Sequence, residues 1–171
     1  MKLLMQGRPS GSPFFFVEIG PVQAYNRVRF QIRKVEGMMT KRDVLIVDDA
    51  PAAIGPYSLG ITTGDLVFVS GTLGVDPESG EMVPGGIAAE TRQVLTNLAR
   101  ILNAGGSSLQ NVVKTTVFLQ DMGEFAEMNA VYAEFFTNEP PARSTVQVAA
   151  LPKGAAVEIE AIAVVGGYLG D

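Results

Sequence analysis

The residues best suited to chemistry lie near the end of the 171-residue chain: an arginine that follows two prolines, and a pair of glutamates. Arg143 comes directly after Pro140-Pro141-Ala142, so a stiffened backbone leads into it. A rigidly held guanidinium suits two-point binding of a carboxylate, although a surface salt bridge would leave the same pattern. Glu158 and Glu160 alternate with apolar residues, which places both on one face of a predicted strand. On a partly buried face such a carboxylate can polarise water or take up a proton, whereas at a solvated strand edge it would do neither.

The absence of histidine and cysteine limits the reaction classes that are open to the chain. Without histidine there is no Ser-His-Asp triad, no imidazole base and no ordinary zinc site. Without cysteine there is no thiolate nucleophile and no disulfide, which also fits a reducing cytoplasm. Catalysis must therefore use carboxylates, arginine, lysine, tyrosine, hydroxyls, backbone amides or water.

Four further residues could contact a ligand, and each also has a simpler explanation. Tyr57 lies in a Gly-Pro-Tyr turn, where its phenol could donate to an anion or merely pack. Ser70 and Gly71 end an apolar strand and could offer a hydroxyl and an uncrowded amide, or only end the strand. Asn129 could lie on a helix face opposite Tyr132 and be solvated.

Hydrophobic spacing predicts an α+β domain with two helices. Apolar residues recur at helical spacing from Ile87 to Leu102 and again from Phe125 to Phe135. Apolar and β-branched runs predict strands at Val44–Val47, Leu66–Ser70, Val112–Leu119, Thr145–Ala149 and Ala156–Val165. The simplest arrangement is one sheet of about six strands with both helices on one face. Because strands this apolar cannot leave a whole face in water, we expect oligomerisation through the open face.

Charge divides the chain into two parts. Residues 1–38 contain six Lys or Arg and two Asp or Glu, whereas residues 39–171 contain seven and sixteen. We expect residues 1–38 to be an N-terminal extension, either a leader upstream of a start at Met38 or Met39 or a disordered arm, with a targeting segment as the alternative. The acidic remainder would repel phosphate backbones, so nucleic acid is an unfavourable partner. No apolar run reaches the roughly 18 residues that span a bilayer, so we expect no membrane association.

Residues 141–160, PARSTVQVAALPKGAAVEIE, resemble the signature of the RidA (YjgF) family of enamine and imine deaminases. The resemblance continues, in the right order, at residues 50–57 (APAAIGPY), 68–71 (FVSG), 113–119 (VKTTVFL) and 128–132 (MNAVY). It covers about residues 41–165 and indicates a RidA-like deaminase domain at residues 39–171.

The resemblance implies a chorismate-mutase-like fold with a mixed sheet, in a homotrimer whose sheets face inward as a barrel and whose three sites lie at subunit interfaces. In such proteins the residue matching Arg143 binds the substrate carboxylate, and the residue matching Glu158 activates the hydrolytic water. Thr145 stands where active members often have a cysteine, and this position is expected to contribute its backbone amide. The pocket is lined by the positions that match Tyr57, Ser70, Gly71 and Asn129.

The implied reaction is hydrolysis of reactive enamines or imines, such as 2-aminoacrylate, to 2-oxo acids and ammonia, as by a 2-iminobutanoate/2-iminopropanoate deaminase. The imine carbon is already electrophilic, so the enzyme need only hold the carboxylate, deliver water and exclude competitors. No metal ion and no organic cofactor is therefore expected. One alternative is a non-catalytic regulator that binds small ligands, or a translation inhibitor or ribonuclease of the same fold. A chorismate mutase is a second alternative, but that reaction needs several cations around a dicarboxylate.

Overall fold

The computed structural model describes residues 42–166, which form a six-stranded sheet and two α-helices. The helices are α1 (Gly86–Ala104) and α2 (Phe125–Phe135). The strands are β1 (Arg42–Val44), β2 (Gly60–Thr63), β3 (Leu66–Leu73), β4 (Val112–Leu119), β5 (Ala142–Gln147) and β6 (Val157–Val164). The predicted N-terminal extension, residues 1–38, lies outside the described residues. Within residues 42–166, no helix is long and apolar enough to cross a membrane.

The sheet is mixed, with the strand order β1-β2-β3-β6-β4-β5. Strands β4 and β5 run parallel, because α2 returns the chain to the end of the sheet at which β4 begins. The other neighbouring pairs of strands are antiparallel. The last strand, β6, lies between β3 and β4, so the middle of the sheet is assembled from residues far apart in sequence. This is the single mixed sheet that the sequence predicts.

Both helices pack on one face of the sheet and against each other. On α1, Leu95, Leu98 and Leu102 follow helical spacing and are fully buried. Burying each such side chain contributes about 1.5–3 kcal/mol relative to leaving it in water. The helix ends where the amide of Gly105 donates to the carbonyl of Ile101, and Gly106 takes a positive φ of 72° that suits glycine.

The other face of the sheet is not covered by any element of residues 42–166. Along β6, Val157, Ile159 and Ala161 are buried against the helices, and Glu158 and Glu160 point to the opposite face, as the alternation predicts. Apolar side chains on this open face remain accessible, with Phe68 39% exposed and Val164 40% exposed. The packing therefore leaves the sheet with one face suited to contact another molecule.

Several strand predictions need correction. Strand β3 continues to Leu73 instead of ending at Ser70, so Ser70 and Gly71 lie inside the strand. The first strand spans Arg42–Val44 instead of Val44–Val47, because its antiparallel partner β2 begins at Gly60 and leaves nothing to pair with beyond residue 45. Strand β2 itself was not predicted, since its sequence GITT contains a single large apolar residue. Strand β5 begins at Ala142 instead of Thr145, because β4 offers a parallel partner from Lys114 onward. Arg143 consequently lies inside a strand, not before one.

Candidate active site

Arg143 lies on the helix side of the sheet, against two aromatic rings of α2. Its guanidinium carbon is 4.6 Å from the centroid of the Tyr132 ring and 5.7 Å from that of Phe125, both within cation–π range. The Tyr132 hydroxyl and the Thr115 hydroxyl share a hydrogen bond of 2.8 Å, and Thr115 is the register partner of Arg143. The arginine is therefore held by an aromatic surface that is itself fixed to the sheet.

The positive charge of Arg143 has no anionic partner in the described part of the chain. The ion pairs of residues 42–166 join Arg92 to Glu134 and Arg100 to Asp49, and none involves Arg143. The side chain is half-buried and lines a surface cavity together with Met122, Phe125 and Thr145. A half-buried guanidinium stacked on aromatic rings and free of carboxylates is well suited to bind an external anion.

Burial raises the pKa of the Tyr132 hydroxyl, while its hydrogen bond to Thr115 and the charge of Arg143 act in the opposite direction. The phenol therefore stays neutral at physiological pH. Tyr132 thus serves Arg143 as a neutral aromatic platform and leaves the positive charge of the guanidinium available.

Thr145 and Asn129 belong to the same side of the structure as Arg143. Thr145 follows Arg143 by two residues on β5 and shares its face, and its hydroxyl oxygen is buried without a hydrogen-bond partner in residues 42–166. Asn129 is half-buried on α2, four residues after Phe125 and three before Tyr132. This spacing places Asn129 on the helix stripe that faces Arg143, so its suggested position opposite Tyr132 is wrong.

Glu158 lies on the open face of the sheet, in a cavity of about 240 Å³ that Tyr57, Ser70 and Gly71 also line. The side chain is half-buried, and desolvation raises its pKa, with a smaller contribution from the negative charge of Glu160. A carboxylate that gains basicity from partial burial is the kind of group that can accept a proton from water.

Gly71 brings the backbone of β3 very close to Glu158. The register between β3 and β6 shifts between Val69 and Thr72, and Gly71 lies in this irregular stretch. A side chain at position 71 would overlap the carboxylate of Glu158. Glycine at this position lets the carboxylate of Glu158 keep its place against the backbone, from which a Cβ would displace it.

Ser70 and Tyr57 fix the loop that forms the outer wall of this cavity. The Ser70 hydroxyl donates to the carbonyl of Ser58 over 2.8 Å, and the Ser70 amide donates to the carbonyl of Leu59 over 3.0 Å. The Tyr57 hydroxyl accepts a hydrogen bond of 3.3 Å from the amide of Ile54, and its side chain is 45% exposed. These hydrogen bonds hold the loop at both ends of the cavity, and Tyr57 lines the cavity.

The predicted site residues form two separate groups in one chain. Arg143, Thr145 and Asn129 make up one group, and the cavity of Glu158 makes up the other. Glu158 pairs with Phe118 of β4, and Phe118 pairs with Val146 of β5. Val146 lies three residues after Arg143 on β5. With about 3.3 Å per residue and about 4.8 Å between strands, the Cα atoms of Arg143 and Glu158 are about 14 Å apart. Because successive side chains along a strand alternate between the two faces, this offset of three residues also places the side chains of Arg143 and Glu158 on opposite faces of the sheet.

Phe125 and Tyr132 belong to the candidate site through their contacts with Arg143, although their spacing in the sequence indicates only a helix face. Their spacing of seven residues, two helical turns, indicates that both rings lie on one stripe. What the sequence could not reveal is that this stripe faces β5, because that depends on the parallel pairing of β4 and β5. In residues 42–166, no group of three or more carboxylates is arranged to hold a metal ion.

The chain is similar to proteins of known family. The family model described as Endoribonuclease L-PSP matches residues 47–165. A bovine protein named 2-iminobutanoate/2-iminopropanoate deaminase is 52% identical over 125 residues, which are 73% of this chain and 91% of the bovine protein. The chain belongs to the RidA family.

Solved structures of RidA family members have the same fold. RidA from the Antarctic bacterium Psychrobacter has a TM-score of 0.70 and 45% identity, with 72% of this chain and 99% of that chain covered. Escherichia coli TdcF, crystallised with bound serine, has a TM-score of 0.69 and 43% identity, with 71% and 98% covered. The predicted RidA fold, with two helices on one face of a mixed sheet, is confirmed.

Proposed function

We propose that this RidA family member hydrolyses reactive enamines and imines of 2-amino acids, such as 2-aminoacrylate, to 2-oxo acids and ammonia. The observation that supports it best is the half-buried guanidinium of Arg143, stacked on aromatic rings and without a carboxylate partner in residues 42–166. The bovine relative, at 52% identity, is named for this activity, and TdcF was crystallised with a small amino acid.

In the proposed reaction, Arg143 binds the substrate carboxylate and Glu158 accepts a proton from water. The water oxygen then bonds to the imine carbon, and the imine nitrogen takes up a proton. The resulting carbinolamine collapses: its amino nitrogen takes up a proton, its hydroxyl loses one, the carbon–nitrogen bond breaks, and ammonia leaves with that electron pair. An enamine such as 2-aminoacrylate first takes up a proton on carbon and loses one from nitrogen to become the imine. The raised pKa of Glu158 favours its role as general base.

We place the complete site between two copies of the chain, in a homotrimer with three equivalent sites. Arg143 and Glu158 lie on opposite faces of one sheet and cannot contact one small substrate together. Arg143 of one chain and Glu158 of the next can do so when the open face packs against a neighbour. The exposed Phe68 and Val164 on that face support such packing.

The remaining predicted residues have supporting roles in this proposal. Asn129 and Thr145 face the ligand from the side of Arg143, where we expect the backbone amide of Thr145 to bond to the carboxylate, since its hydroxyl oxygen is buried. Gly71 leaves space for the carboxylate of Glu158, and Tyr57 and Ser70 hold the loop beside it. We assign the activity to residues 39–171.

The reaction needs neither a metal ion nor an organic cofactor, because the imine carbon is electrophilic by itself. We also propose a cytoplasmic location, which the lack of cysteine fits. A ribonuclease activity, which the description of the family model would suggest, is disfavoured. The chain has no histidine, so no imidazole pair is available, and the sixteen Asp or Glu against seven Lys or Arg in residues 39–171 disfavour contact with an RNA backbone.

A coupled assay tests this function directly. A dehydratase that uses pyridoxal phosphate generates 2-aminoacrylate, and the rate of pyruvate formation is measured with and without the protein, after dialysis against EDTA. We expect the dialysed protein to accelerate hydrolysis well above the spontaneous rate in water. Equal rates with and without the protein would contradict the proposal, and recovery only after a divalent ion is added would contradict the mechanism.

A further inference from the structure

A second cavity, of about 340 Å³, lies beside the Glu158 cavity and has no role in the steps proposed above. Its inner wall is apolar, with Leu59 from the loop after β1, Val75 after β3 and Ile101 from α1, and the exposed Glu78 and Lys153 line it as well. Val75 is 6% exposed and Ile101 is 2% exposed, so this surface belongs to the core of the domain. A volume of this size lies at the lower end of the roughly 300–1,000 Å³ typical of ligand pockets.

The two cavities adjoin. The same four residues line both of them, namely Ile54, Tyr57, Gly71 and Leu73. A molecule whose reacting carbon lies near Glu158 therefore has an apolar space directly beside it.

The second cavity is preformed by hydrogen bonds. The fully buried amide of Asn97 on α1 donates to the carbonyls of Leu73, at 3.2 Å, and Val75, at 2.8 Å. On the outer side, the Lys153 ammonium donates to the carbonyl of Gly80 over 2.7 Å, which joins two loops across the opening. Because these contacts hold the walls in place, ligand binding does not lose free energy to ordering them.

We propose that this side-chain cavity, defined by Leu59, Val75 and Ile101, receives the apolar side chain of the 2-imino acid. The inference rests on the proposed function and names the preferred substrate class, imines with branched aliphatic or aromatic side chains. The carboxylate and imine ends of every substrate are held by charged groups, so the side chain is the part that an apolar space can select. A charged side chain is disfavoured against Leu59, Val75 and Ile101, because there it would lose its hydration without gaining a partner.

Each methylene that enters the side-chain cavity should raise kcat/KM about fourfold until the space is filled. The imines formed from alanine, leucine and phenylalanine by an amino acid oxidase provide a series of increasing size. We expect the leucine-derived imine to be hydrolysed with kcat/KM at least about tenfold above the alanine-derived imine.

The matched variants are Ala52→Phe and Ala53→Phe. Both residues are exposed on the same loop, but only Ala52 lines the side-chain cavity. We expect Ala52→Phe to lower the ratio of kcat/KM for the leucine-derived imine to that for the alanine-derived imine at least tenfold, and Ala53→Phe to leave that ratio unchanged. A thermal melt establishes that both variants fold. An unchanged ratio in Ala52→Phe, or a wild-type kcat/KM that falls as the side chain lengthens, would overturn the assignment.

Binding of the 2-oxo acid products separates this inference from the proposed function. Calorimetry with pyruvate, 4-methyl-2-oxopentanoate and phenylpyruvate measures the side-chain cavity without any turnover. Tighter binding of the longer acids to the wild type, lost in Ala52→Phe, supports the cavity even where no imine is hydrolysed. Equal affinity for all three acids would contradict it even where imine hydrolysis is fast.

Discussion

Arg143 and Glu158 lie on opposite faces of one sheet, on the strands β5 and β6 that flank β4. Arg143 is level with Thr115 on the helix side, and Glu158 is level with Phe118 on the open side. One chain therefore presents an anion-binding group on one face and a basic carboxylate on the other. The proposed chemistry follows from joining the two faces of neighbouring chains.

Replacing Arg143 by alanine should lower kcat/KM at least about 100-fold, because charge-assisted hydrogen bonds to the substrate carboxylate are each worth about 1.5–3 kcal/mol. Arg143→Lys should recover little, since an ammonium is a point charge without the planar fork. Steady-state kinetics on 2-aminoacrylate measures both. Arg92→Ala is the control, because Arg92 forms an exposed ion pair with Glu134 and should leave kcat/KM unchanged. Equal losses in the two alanine variants would contradict the role of Arg143.

Glu158→Gln should lower kcat by about 10²–10⁴-fold, the usual contribution of a general base. The amide keeps the shape of the carboxyl group but cannot accept the proton, so a 2-oxo acid should still bind as well as to the wild type, or more tightly. Glu160→Gln is the matched control, on the same face of β6 but exposed. Turnover that survives in Glu158→Gln would show that another group activates the water.

The acid limb of the pH profile of kcat/KM should lie above the value of about 4.3 that is normal for a glutamate. Burial and the charge of Glu160 both raise the pKa of Glu158, so the base is protonated at a higher pH than usual. Glu160→Gln removes the second cause and should move this limb to lower pH. An acid limb of the wild type at or below the ordinary glutamate value would contradict the assignment of this limb to Glu158.

The raised pKa of Glu158 also affects the stability of the fold. Because this pKa is higher in the folded chain than in the unfolded chain, the folded state loses stability as the pH rises from the pKa of the unfolded chain through the pKa of the folded chain. Urea unfolding at neutral pH should therefore find Glu158→Gln at least as stable as the wild type.

Thr145→Val and Thr145→Ser should both bind 2-oxo acids like the wild type, because the buried hydroxyl oxygen is not accessible to a ligand and both variants keep the backbone amide that we expect to bond to the carboxylate. Calorimetry with 2-oxobutanoate measures both affinities. Weaker binding by Thr145→Val alone would show that the hydroxyl, and not the amide, bonds to the carboxylate.

The fold could be predicted to a large extent from local pattern. The helical spacing in α1 and the alternation in β6 follow directly from burial on one face, so the faces of Glu158 and Leu98 were predictable. Strand β2 was missed although the two-residue Gly64-Asp65 connection to β3 is typical of a hairpin. For β2, the sequence of the turn therefore predicts the hairpin better than the sequence of the strand does.

The candidate site was only partly predictable. Sequence motifs identified its residues, but their division between two faces depends on the long-range register of β4, β5 and β6. The aromatic surface under Arg143 likewise requires α2 to cross from β4 to β5. Local patterns do not contain this information, because pairing of distant strands is decided by the whole chain.

The most direct measurement is a mixing experiment with two inactive variants. Arg143→Ala and Glu158→Gln are each purified, unfolded together in equal amounts, refolded and assayed for pyruvate formation from 2-aminoacrylate. In a ring of three chains, random mixing gives about a quarter of the sites an intact Arg143 and an intact Glu158 from neighbouring chains. We expect about a quarter of the wild-type activity to return, and each variant refolded alone to stay inactive. A refolded mixture as inactive as the separate variants would contradict a site shared between chains.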